Sequence, residues 1–126
     1  MTRSIVLKAF AIALIGAFTS TVAGAQEFMT QKELLTTIPG QTLYGLSNAD
    51  NKTKWAQVYS KGRKKGRITG VFGDTQYKSK WFVKEDFWCE NWDGGQGCWK
   101  FVQVGEKQLR AYKDGKRKLE NSWRIK

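Results

Sequence analysis

Three hydrophobic patterns follow one another along this chain. Residues 9–18, AFAIALIGAF, are an unbroken apolar run. Leu34, Leu35 and Ile38 then recur at helical spacing. From residue 42 onward apolar and polar positions alternate with period two, broken by glycine and Asp-Gly. Unbroken, helical and alternating patterns predict three different kinds of structure.

The first run is too short to cross a bilayer, follows Arg3 and Lys8, and leads to the Ala-x-Ala site Ala23-Gly24-Ala25. A positive start, an apolar middle and small residues at the cut are the signature of a secretory signal peptide. Residues 1–25 are expected to be removed, leaving 26–126 as a single β domain. No comparable apolar run follows, so no transmembrane anchor is expected after cleavage.

A short helix over about 31–38 opens that domain. Thr30 and Glu33 have the spacing of a capping box, and Met29 and Leu34 that of a hydrophobic staple. Pro39-Gly40 stops the helix. Strands are predicted near 42–47, 53–60, 66–72, 76–84, 86–92, 98–104, 108–113 and 117–124. Short strands at close, even spacing predict a mainly β fold: a small antiparallel meander of about seven to eight strands, closing as a barrel or sandwich.

The segment FWCENWDGGQGCWKF, residues 87–101, holds both cysteines and three of the six tryptophans. With Asp93-Gly94 as a type I′ turn, facing residues sum to 187, which sets Cys89 opposite Cys98 on a non-hydrogen-bonded pair. A disulfide fits that pair. Closing so short a loop contributes roughly 2.5–3 kcal/mol by chain entropy. The same register puts Trp88, Glu90 and Trp92 on one face with Trp99 and Phe101. Phe87, Cys89 and Val83 fall on the other with Val102 and Val104. One face is the interior; the other is covered, for instance by the N-terminal helix, or exposed. Trp88, Trp92 and Trp99 are thus either core or an aromatic platform suited to sugar rings or peptide side chains.

Charge adds a second set of candidates. Loss of Arg3 and Lys8 takes the formal net charge from +11 to +9, which favours anionic partners. Lys61, Arg63, Lys64, Lys65 and Arg67 crowd one turn, and Lys116, Arg117 and Lys118 another. These are either solvated loops or an anion-binding rim. If 76–92 is one long strand, both turns share an end; if Lys84-Glu85-Asp86 turns, they lie at opposite ends. A seventeen-residue strand is unusually long, which favours the turn.

Chemistry at a catalytic centre is not indicated. Histidine is absent, so no Ser-His or Cys-His pair exists, and the cysteines are committed to each other. Asp86 and Glu90 share a strand face but lie roughly 13 Å apart at about 3.3 Å per residue, too far for a carboxylate pair. Two thiolates without histidine make a metal site improbable, and no cofactor-binding loop is present. Basic grooves with aromatics suit nucleic acid, but export argues against a specific nucleic-acid role.

The order of a signal peptide, a short helix with Glu33-Leu-Leu, then PGQTLYG from Pro39, Trp81-Phe-Val and Trp88-Cys…Cys-Trp99 resembles small exported β-barrel proteins of Gram-negative bacteria, an alphaproteobacterial-type domain of unknown function. The resemblance implies a periplasmic location and the disulfide, and carries over no functional residues. The expectation is a periplasmic or secreted, non-enzymatic binding protein that engages an anionic envelope component or acidic protein through its basic turns. The alternative is an inhibitor or host-directed interaction module that uses the Trp88, Trp92 and Trp99 face. Inhibition of a lysozyme is disfavoured, because a basic surface repels a basic enzyme.

Overall fold

The computed structural model describes residues 27–126; the expected signal peptide lies outside them. One helix, α1 (Gln31–Thr37), precedes nine strands. These are β1 (Thr42–Leu46), β2 (Lys54–Tyr59), β3 (Lys65–Phe72), β4 (Thr75–Lys84), β5 (Phe87–Trp92), β6 (Gly95–Gly105), β7 (Gln108–Lys113), β8 (Arg117–Lys118) and β9 (Trp123–Ile125). Neighbouring strands run antiparallel from β1 through β7, and β9 pairs with both β7 and β1. That closes an eight-stranded barrel, with the two-residue β8 as an extra strand beside the end of β7. The predicted last strand is therefore two. Leu119 N still donates to Ala111 O at 2.9 Å, Glu120 to Ser122 leave the ladder, and only Trp123 to Ile125 complete the wall.

The helix forms as its caps dictate. Thr30 Oγ1 accepts from Glu33 N at 3.2 Å, and Thr30 N donates to Glu33 Oε1 at 2.9 Å. Met29 and Leu34 are both buried, so the staple is made. Rather than lying on an outer face, α1 closes one end of the barrel. Gln31 N donates to Asp86 Oδ1 at 2.8 Å and Gln31 Nε2 to Glu85 O at 2.7 Å. Leu34 and Ile38 are fully buried in the core. On the outer wall Phe28 packs edge-on against Tyr112 at 5.2 Å and Lys100 Nζ lies 5.0 Å over Phe87, while Val104 is exposed.

Glu85, at φ 54°, and Asp86 form a true turn between β4 and β5. Alternation then sends every second residue inward. Leu43, Tyr59, Ile68, Trp81, Trp88, Phe101, Leu109 and Ala111 fill the half nearest α1. Trp81 and Trp88 stack there at 4.6 Å, with Tyr59 edge-on to Trp88 at 5.5 Å. The turn also corrects one placement. Val83 pairs directly with Trp88, so it shares the inner face of Trp88 instead of the outer face of Cys89.

Across the next hairpin the pairing is Trp88 with Trp99, Cys89 with Cys98, Glu90 with Gly97 and Trp92 with Gly95. The expected register is present, but its turn is not type I′. Neither Asp93 nor Gly94 takes a positive φ; the positive angle, 127°, falls on Gly95. Cys89 and Cys98 form a disulfide with α-carbons 4.1 Å apart. The bond sits on the outer face and points to an oxidising, non-cytoplasmic compartment.

Candidate functional site

Strand parity gives the barrel two unlike ends. The 60–64, 85–86 and 106–107 turns gather with α1 at the closed end. The 47–53, 73–74, 93–94 and 114–116 turns surround the other. Into this second end opens a cup of about 470 Å³, within the range of small-molecule sites. Its walls are the rings of Trp55, Tyr77, Trp92, Trp99 and Trp123. Gln57 and Glu90 line its depth, while Asn48, Phe72, Lys78, Asp93 and Leu119 line it nearer the surface.

The wall rings are ordered against one another. Trp123 is edge-on to Trp55 at 5.1 Å and to Trp99 at 5.3 Å, and Tyr77 is edge-on to Trp92 at 5.2 Å. Edge-to-face contacts of this kind add about 0.5–1.5 kcal/mol each beyond burial. Two glycines let the rings fold back against the wall. A Cβ at Gly70 would stand 2.4 Å from the Tyr77 ring, and one at Gly97 would stand 2.7 Å from the Trp99 ring. Trp99 Nε1 is buried without a hydrogen-bond partner.

A buried polar network lies under these rings. Tyr59 Oη donates to Glu90 Oε2 at 2.7 Å, and Trp88 Nε1 donates to the same oxygen at 3.1 Å. Gln57 Nε2 donates to Tyr59 Oη, and Tyr77 Oη donates to Gln57 Oε1 at 2.6 Å. Glu90 is 1% exposed. Burial pushes its carboxyl from the ordinary 4.5 up to about 7, although the hydrogen bonds from Tyr59, Trp88 and Gln57 pull the other way. Burial, followed by the charge of Glu90, raises both Tyr77 and Tyr59. All three groups that hold the carboxyl are neutral.

The sequence candidates divide accordingly. Trp88 is fully buried beneath the cup, whereas Trp92 and Trp99 are half-buried in its wall. Lys61, Arg63, Lys64, Lys65 and Arg67 are exposed at the closed end, and Lys116, Arg117 and Lys118 are exposed at the open end. The two groups do not form one rim. Sequence reasoning placed Glu90 on the tryptophan face without recognising it as the buried acid, and it missed Trp55, Gln57, Tyr59, Tyr77 and Trp123. The available signal was an acid two residues from a tryptophan on each side of one strand face. No family model matches the chain, and comparison with curated proteins and with solved structures finds no match.

Proposed function

We propose that this is a periplasmic or secreted, non-catalytic binding protein that takes a small aromatic molecule, or an aromatic group of a larger one, into the cup. The observation that carries this reading is an open pocket walled by five aromatic side chains above a buried, hydrogen-bonded acid. Apolar walls supply the free energy of transfer from water, and the few polar groups at depth fix orientation. One barrel closed by its own helix leaves a rigid wall, so little ordering is lost on binding. Catalysis is not part of the proposal, because a single acid stands at depth and the second acid of the lining, Asp93, belongs to the hairpin turn.

Saturation-transfer NMR and calorimetry with indole, p-cresol and 2-naphthol test the reading on the disulfide-intact protein. Saturable binding that is lost in Trp92→Ala, with the fold retained, is expected. Absence of saturable binding by all three at millimolar concentration would overturn it.

A second reading keeps an anionic partner but narrows it to the turn at the closed end. Five exposed cations between Lys61 and Arg67 support it, and the distance of this turn from the cup makes the two functions separable.

A further inference from the structure

The cup's chemistry specifies more than an aromatic guest. Resting on the reading above, we infer that the cup selects an aromatic guest bearing a cationic nitrogen, whose ammonium group is received by Glu90 beneath the indole rings.

Three observations converge on a cation. The first is the buried carboxyl itself. Tyr59, Trp88 and Gln57 satisfy it as a hydrogen-bond acceptor, but none brings a positive charge. A buried carboxylate without a cation is costly, and a guest ammonium supplies what is missing. The second is the wall. Indole and phenol faces attract ammonium groups, and desolvation inside a cup strengthens that attraction. One face already shows it: Lys113, directly across the ladder from Trp99, sets Nζ 5.0 Å over that ring. Trp55, Trp92, Trp123 and Tyr77 line the rest of the cup. The third is local charge. In a chain of net charge +11, the lysines at the cup, Lys78 in its lining and Lys113 over Trp99, are matched one for one by the acids Glu90 and Asp93, so the cup lacks the positive excess of the rest of the chain.

The titratable groups that face Glu90 are few. Tyr59 on β2 and Tyr77 on β4 are held protonated well beyond neutral pH. Lys78 and Asp93 lie in the same lining, and Lys113 approaches from β7. Burial brings the carboxyl of Glu90 up to about 7, into the neutral range. Affinity for a cationic guest therefore rises as pH passes upward through about 7, while affinity for a neutral guest of the same shape stays level.

Three probes with one indole body separate the possibilities: tryptamine, which is cationic, tryptophol, which is neutral, and indole-3-acetate, which is anionic. Calorimetry at pH 6 and pH 8 on the disulfide-intact protein and on Glu90→Gln gives the comparison. Tryptamine is expected to bind about tenfold or more tighter than tryptophol at pH 8, as a charge-assisted hydrogen bond in a buried site provides. Glu90→Gln keeps the shape of the site and should erase that preference. If tryptamine and tryptophol bind alike, or the preference survives in Glu90→Gln, the cation inference falls and the aromatic cup stands. Preference for indole-3-acetate also overturns it. If none of the three binds, both this inference and the cup reading fail.

Discussion

Glu90→Gln is also the sharpest test of the buried network, independent of any guest. The carboxyl has an ordinary value of 4.5 and about 7 in the fold. A tenfold change in proton affinity corresponds to about 1.4 kcal/mol, so keeping this group ionised inside the barrel costs about 3 kcal/mol. Because the folded value is raised, the folded chain holds the proton more tightly than the unfolded one. Between pH 4.5 and about 7 the folded state binds more protons, and stability falls as pH rises through that window. The favourable contribution is complete below the lower value and gone above the upper one. Glutamine keeps an oxygen for Tyr59 and Trp88 and does not titrate. Urea unfolding of both proteins at pH 4.5, 6 and 8, with the disulfide intact, isolates the effect, since the remaining carboxylates cancel in the difference. The variant should gain on the wild type with increasing pH, by up to about 3 kcal/mol at pH 8. A difference that does not change with pH, at equal m-values, would refute the buried-acid argument.

Other perturbations read different parts of the molecule. Trp88→Ala removes a fully buried ring stacked on Trp81 and should cost about 3–5 kcal/mol by thermal unfolding, whereas Trp92→Ala, half-buried in the wall, should cost much less. Gly70→Ala drives a methyl into the Tyr77 ring; a loss of about 1–3 kcal/mol and a shifted Tyr77 resonance are expected. Replacing Cys89 and Cys98 together by serine should lower stability by roughly 2.5–3 kcal/mol in urea, with strand signals preserved. Changing Arg63, Lys64, Lys65 and Arg67 to glutamine should abolish salt-sensitive retention on a heparin column and leave indole binding unaltered.

Local chemistry was legible where a few neighbouring residues decide it. The capping box of Thr30 and Glu33, the staple of Met29 on Leu34 and the Cys89–Cys98 register each depend on short spacing, and each is present. The hairpin register survived even though its turn conformation differs, because the tryptophan and cysteine pairs hold it as firmly as the turn does. What alternation cannot convey is which face closes on itself. A period-two strand with rings on both sides reads the same whether its rings cross a lumen, line it, or meet solvent. The 85–86 turn decided both the side of Val83 and the separation of the basic groups, and two residues carry little signal.

The cup itself arises from an imbalance between the two halves of one interior. Eight strands enclose just enough space for side chains to fill, and near α1 Trp81, Trp88, Phe101 and Ile68 fill it. Toward the open end the same parity brings Gly70 and Gly97 to inward positions, and neighbouring rings lie over them instead of reaching across. Volume that a second layer of large side chains would take is left empty, although the rings that could take it are present. Packing alone would favour an apolar residue at position 90, since a buried carboxyl weakens the fold at neutral pH. Stability therefore explains neither the open half nor the acid beneath it, and the guest proposed above would occupy the first and pair with the second.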